Sequence, residues 1–259
     1  MKKSSIIIGV VFIVLGLALM SGVFVAFGFD FSKLDTAEYE TNTYSLSESF
    51  SNIEIISKET DIEIKPSADG ETKIVLVEKA KAKHTVSVQD GTLKISVNDE
   101  REWQDYININ IKHLSMTVYV PSEQYERLKI ENRTGNVNIE NIKAYNIDIS
   151  VSTGDTELKD VDCKNLVIKG STGDTVLKDV VATEKLTVER STGNIQFDNS
   201  DAATITIKTT TGSVTGTLRT AKIFIAKTFT GKISVPETLT GGKCEITTST
   251  GDIKIELIG

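Results

Sequence analysis

The dipeptide Thr-Gly returns along the second half of the chain with its glycines at 135, 154, 173, 193, 212, 231 and 251, at intervals of 19, 19, 20, 19, 19 and 20 residues. A period near twenty residues marks a solenoid, whose units bury their apolar faces only against their neighbours. Alignment on the glycine makes the columns physical. Seven residues before it stand Leu128, Ile147, Leu166, Leu186, Ile205, Phe224 and Cys244; five before it stand Ile130, Ile149, Ile168, Val188, Ile207, Ala226 and Ile246. Two after it come Val137, Thr156, Thr175, Ile195, Val214, Ile233 and Ile253, and four after it Ile139, Leu158, Leu177, Phe197, Gly216, Val235 and Ile255. Mostly polar residues lie between. This alternation belongs to strands with one buried face, so each repeat holds two short strands hinged at Thr-Gly. The glycine supplies a turn at φ > 0, and Asn136, Asp155, Asp174, Asn194 and Asp252 behind it favour turns. The fold class is all-β: a β-solenoid of seven coils over residues 126–259, stacked in sequence order about 4.8 Å apart.

A third column, ten residues before the glycine, is small: Ala144, Cys163, Thr183, Ala202, Ala221 and Gly241. It marks a tight corner. Cys163 sits in this column and Cys244 in the large core column, four coils apart in sequence order, about 19 Å at the strand spacing. A disulfide needs Cα atoms within about 7 Å, so two buried, unpaired thiols are expected. Gly216 leaves a gap in the column that holds Phe197 and Val235, and the Phe197 ring is expected to fill it. Residues 49–125 read as an irregular β cap and first coils, with strands at 52–56, 61–65, 73–78, 84–89, 92–97, 107–111 and 114–120. Asp90-Gly91 between alternating runs signals a hairpin.

The N-terminus is of another kind. Ile6 to Phe29 carries no charge, with Lys2 and Lys3 before it and Asp30, Asp35, Glu38 and Glu40 after it. About 20 apolar residues cross a bilayer as a helix, and the positive-inside rule keeps the short N-terminus in the cytoplasm. Residues 1–29 are therefore expected to be an uncleaved transmembrane anchor, 30–48 an acidic linker, and the rest extracytoplasmic. A cleaved signal peptide fits less well: the run is long, and a site ending at Ala26 puts Phe24 where a small residue belongs. The whole chain has 29 basic and 36 acidic residues, a net charge of −7. Such an acidic chain is a poor candidate for nucleic-acid binding, which usually needs a clustered basic surface. Two cysteines exclude a disulfide framework and a four-thiolate zinc site.

The stretch YVPSEQYERLKIENRTGNVNIENI, residues 119–142, followed by repeated apolar-x-apolar-x-x-Ser-Thr-Gly-Asp, resembles the bacterial "putative adhesin" family, a domain of unknown function. That family includes membrane-anchored proteins of the Lia cell-envelope-stress type. The resemblance covers roughly residues 49–259. It implies a β-solenoid envelope protein, with no catalytic residues to carry over.

Candidate chemistry is sparse. Gly-Asp steps along a solenoid fit calcium-binding β-rolls, but only Asp155, Asp174 and Asp252 are acidic in that column and Lys232 interrupts it. The threonine column at 134, 153, 172, 192, 211, 230 and 250 would need a second parallel threonine row to bind ice, and the row two residues earlier is mixed: Asn132, Val151, Gly170, Arg190, Thr209, Thr228, Thr248. No paired carboxylates for glycoside hydrolysis stand out, and His84 and His113 have no metal or triad spacing. No catalytic, cofactor-binding or metal residue is assigned. Trp103 and Tyr106 are expected to pack on the cap rather than stack on a sugar. The last strand ends the stack without a cap, so Ile253, Ile255 and Leu257 become the candidate tip, suited to partner binding or self-association through the solenoid edge. The function expected is a non-enzymatic binding, sensing or adhesin-like module of the cell envelope, acting in envelope stress on an envelope protein or wall polymer. The alternatives are a structural spacer and, less readily, a wall-polymer enzyme.

Overall fold

The computed structural model describes residues 3–26, 28, 37–103 and 112–258. Two compact units divide the chain: Met1–Glu38 with Arg101–His113, and Tyr39–Glu100 with Leu114–Gly259.

In the first unit, α1 spans Lys3–Ala26. Its described side chains, those of residues 8–22 and Val25, are exposed on every side. Among the described residues no helix is long and apolar enough to cross a membrane. The membrane span expected over residues 1–29 is therefore not shown by α1. Trp103 is exposed and does not pack as expected. Tyr106 and the strand at 107–111 lie outside the described residues.

The second unit is all strand. Along the chain come β1 (Tyr39–Leu46), β2 (Asn52–Glu59), β3 (Asp61–Pro66), β4 (Thr72–Lys79), β5 (Ala82–Gln89), β6 (Thr92–Asp99) and β7 (Ser115–Val120). The repeats follow as β8 (Gln124–Thr134), β9 (Val137–Glu140), β10 (Lys143–Thr153), β11 (Thr156–Lys159), β12 (Asp162–Thr172), β13 (Thr175–Lys178), β14 (Val181–Thr192), β15 (Ile195–Thr211), β16 (Val214–Leu218), β17 (Lys222–Thr230), β18 (Ile233–Ser234), β19 (Gly242–Thr250) and β20 (Ile253–Leu257). The strands ahead of Thr-Gly form one ladder, β5-β6-β2-β8-β10-β12-β14-β15-β19-β17. Those behind it form a second, β1-β4-β7-β3-β9-β11-β13-β15-β16-β20-β18. Pairing is parallel from coil to coil and antiparallel only around β1, β4, β5, β6 and β7.

Equivalent side chains do stack: Ile149 pairs Ile168, which pairs Val188. From Leu128 to Ile205 and from Ile130 to Ile207 the two core columns are buried, each side chain stabilising the stack by roughly 1.5–3 kcal/mol. The glycine column has a sharper reason than a turn. Gly154 has φ +143°, and a Cβ there would lie 2.2 Å from the carbonyl oxygen of Gly135 below it. Coils approach so closely at this corner that no side chain fits.

The Asx column behind the glycine forms a ladder. The N–H of Asp155 donates to Asn136 Oδ1 (2.9 Å), that of Asp174 to Asp155 Oδ1 (2.7 Å), and that of Asn194 to Asp174 Oδ1 (2.7 Å). These acceptors thus hold the backbone of the adjacent coil. A second turn column, six residues past each glycine, escaped the sequence reading: Asn141, Asp160, Asp179 and Asn199 all have φ near +52°, where Asn and Asp are tolerated.

Two boundaries differ from expectation. Residues 39–46, read as linker, form β1, which pairs along its length with β4 and packs Tyr44 and Leu46 against the core. The final coils are also out of sequence order. β19 and β20 insert between β15/β16 and β17/β18, so the repeat at Gly251 lies inside the one at Gly231.

Candidate interaction surface

Ile253, Ile255 and Leu257 therefore do not form the tip. β20 is flanked on both sides, by β16 and β18, and Ile253 and Ile255 are buried. Phe197 is buried and pairs with Gly216, whose other neighbour is Ile255 and not Val235. A Cβ on Gly216 would lie 1.8 Å from the Phe197 carbonyl oxygen, so the glycine answers a close backbone approach. Cys163 and Cys244 are buried free thiols, with burial pushing each pKa up to about 12. They are three coils apart, about 14 Å at the strand spacing, still beyond disulfide reach.

The true terminal coil is β17, β18 and the loop to Gly241. Each of its strands has one partner among the described residues, β19 for β17 and β20 for β18. Its surface is more apolar than that of the coils below. The outward row Arg127, Asn146, Asn165, Lys185, Thr204, Lys243 ends in Ile223. A second row, Lys129, Asp148, Val167, Thr187, Thr206, Glu245, ends in Ile225. A third, of Ser152, Ser171, Ser191, Thr210 and Ser249, ends in Phe229. Phe229 and Leu239 are each 94% exposed, and Ile223, Ile225 and Ile233 are exposed too. Three lysines accompany them. Lys227 stands in the same outward row of β17 and Lys232 follows the turn. Lys243 pairs with Glu245 at 2.7 Å and, with Lys208 and Lys227, holds that carboxyl below its usual range. The sequence did carry this signal: KIFIA at 222–226 is apolar on both parities, which a half-buried strand does not need.

Two buried polar groups also went unread. His84 lies between Ser57 and Glu78: Ser57 Oγ is 3.0 Å from Nε2, and Nδ1 is 2.8 Å from Glu78 Oε2. Glu78 further accepts from the His84 N–H (2.6 Å) and from Asn42 Nδ2 (2.8 Å). Contrary to the sequence reading of His84, this is a nucleophile, base and orienting carboxylate in triad order. All three are buried, with Ser57 and His84 each 5% exposed, so the hydroxyl is closed to a substrate carbonyl and the chain of bonds ties β1, β2, β4 and β5 together. Burial raises the Glu78 pKa, but the hydrogen bonds from His84 and Asn42 outweigh it and leave the carboxyl below its usual range.

The second group is Arg190. The row two residues before the threonines, read as surface, points inward over much of its length: Ser57, Asn132, Val151, Arg190, Thr209 and Thr248 are buried. Arg190 Nε donates to Thr175 Oγ1 (2.9 Å) and Nη2 to Thr156 Oγ1 (2.7 Å), while Nη1 has no partner. Gly170 makes the room, since a Cβ there would meet Nη1 at 2.0 Å.

The coil stack and its two ladders of strands define an all-β, solenoid-like domain. Residues 50–259 match the family described as Toastrack DUF4097, and the chain belongs to that family. A protein titled "putative adhesin" from Bacteroides fragilis shares the fold, with TM-score 0.58 and 20% identity over 85% of this chain and 97% of that one. Two further solved structures are more distant. A "putative cell adhesion protein" from Clostridium sporogenes gives TM-score 0.40 and 12% identity over 85% of this chain and 100% of its own. A "putative adhesin" from Parabacteroides distasonis gives 0.46 and 10% over 85% and 98%. Comparison with curated proteins finds no match.

Proposed function

We propose that the protein is a non-enzymatic, adhesin-like binding module of the cell envelope, held by its N-terminal helix in the membrane and engaging its partner through the terminal coil. The observation that carries this reading is the clustering of exposed Ile223, Ile225, Phe229, Ile233 and Leu239 in that coil, at the end of three rows that are otherwise polar except at Val167. A spacer has no use for two fully exposed large apolar side chains at an open end, whereas contiguous apolar surface marks interaction sites. The anchor rests on the uncharged run from Ile6 to Phe29, the lysines before it and the acidic residues after it. The place in the envelope-stress response rests only on the chain's resemblance to a family that includes Lia-type proteins.

Cysteine labelling tests the placement. Cys163 and Cys244 are buried, so Ser171→Cys, in an exposed serine row, introduces the one reactive thiol. In intact cells a membrane-impermeant maleimide should label it, and the protein should stay with the membrane through an alkaline wash. Labelling only after permeabilisation, or release by the wash, overturns the anchored, outward arrangement.

A further inference from the structure

We propose that the terminal coil docks onto an anionic lipid bilayer surface, a partner class that rests on the reading of this coil as the binding surface. The shape of the patch is the first reason. Phe229 and Leu239 project almost wholly into solvent. Protruding side chains of this sort suit a deformable, fluid partner that opens around them, as an interfacial anchor does.

Charge is the second reason. Residues 222–243 hold four lysines, at 222, 227, 232 and 243, against the single acid Glu237. Lys222 is buried with Asp201 and Lys243 is paired with Glu245, which leaves Lys227 and Lys232 beside the apolar patch. The rest of the same unit is the opposite: residues 39–100 and 114–200 contain 17 basic and 26 acidic residues. An anionic surface therefore attracts this end and repels the body, which orients the contact end-on. A second copy would bring the same lysines together, and edge lysines usually oppose strand-to-strand pairing. The unpaired backbone edge of β17 can remain hydrated among lipid headgroups.

Full-length protein reconstituted in phosphatidylcholine vesicles is mixed with labelled, protein-free vesicles of equimolar phosphatidylcholine and phosphatidylglycerol. Capture of the labelled vesicles is then measured by sedimentation. Wild type should capture them and should not capture pure phosphatidylcholine vesicles. Phe229→Ser with Leu239→Ser should abolish capture, and Lys227→Gln and Lys232→Gln should each weaken it by about fivefold. All these positions are exposed, so an unchanged thermal melt confirms that the variants fold. No capture, or capture that survives the Phe229/Leu239 change, overturns the lipid proposal. Capture that appears only when both vesicle populations carry protein, and is lost in the same variant, overturns it in favour of a second copy while the coil stays the binding surface. A Phe229/Leu239 variant that retains every envelope cross-link of the wild type in intact cells overturns the binding-surface reading itself.

Discussion

Arg190 is the one residue whose presence reorganises three coils at once. Elsewhere the column two past the glycine is Val137, Ile195, Val214, Ile233 or Ile253; beside the guanidinium it becomes Thr156 and Thr175, and the residue over which the head group lies is Gly170. Burial lowers the Arg190 pKa, with Asp155 and Asp174 opposing the shift by attraction. Hydrogen bonds to a charged group contribute about 1.5–3 kcal/mol, and orphaned buried hydroxyls cost a further 1–3 each. Arg190→Ala should therefore destabilise the unit by about 3–5 kcal/mol in denaturant unfolding. Adding Thr156→Val and Thr175→Val to Arg190→Met should recover most of that loss, because a packed apolar replacement of a buried polar set is often neutral or better. A triple variant as unstable as Arg190→Ala would show that the arginine does more than satisfy its two threonines. At the same scale, Ser57 should resist a fluorophosphonate probe in the folded protein; stoichiometric labelling lost in Ser57→Ala would turn the His84–Glu78 pair into catalytic machinery.

Among the elements, the β4-β5 corner is where pH should act. The folded pKa of Glu78 lies below its ordinary value near 4.5, so its bonds to His84 and Asn42 stabilise the fold above that value and the contribution is lost as pH falls through the lower, folded value. Hydrogen exchange should show β1, β4 and β5 loosening first on acidification below the ordinary carboxylate value of 4.5, while the repeat coils stay protected. Glu78→Gln should flatten this acid dependence; an unchanged profile would place the titrating group elsewhere. The repeat strands themselves were legible in the sequence because Leu, Ile and Val recur at fixed offsets from a glycine that cannot be replaced. Gly173 shows why: φ is +127° and a Cβ would lie 2.1 Å from Gly154 O. β1 was not legible, since YETNTYSL has the composition of a tether and becomes a strand only because β4 offers it an edge. The inward turn of Arg190 was hidden for a related reason: polarity argued for the surface, and the compensating Thr156, Thr175 and Gly170 belong to other coils.

For the whole molecule, the periodicity determined that coils stack but not in which order, because each coil presents the same columns above and below. Either of the last two repeats could follow Gly212 by register alone. The distinction lies in which repeat tolerates an open side. The Gly231 repeat has Ala226 where its neighbours have Ile207 and Ile246, and apolar residues facing outward; the Gly251 repeat keeps the full core set, Cys244, Ile246, Ile253 and Ile255, all buried. Placing the fuller core inside leaves less apolar surface uncovered on the buried columns. The outermost coil of a stack exchanges fastest, so protection should follow the stacking order and not the sequence order. The amides of β19 and β20, flanked on both sides, should exchange more slowly than those of β17 and β18, each paired on one side among the described residues. Truncation after Gly241 should likewise cost two coils, since the strands it removes are the only partners β17 and β18 have among the described residues. In a solenoid of nearest-neighbour terms that is a larger loss than stripping one end coil. If β17 proves better protected than β19, or the truncated chain loses no more stability than a chain lacking the 222–241 coil, the repeats are stacked in simple sequence order and the exposed face described here belongs to a different coil.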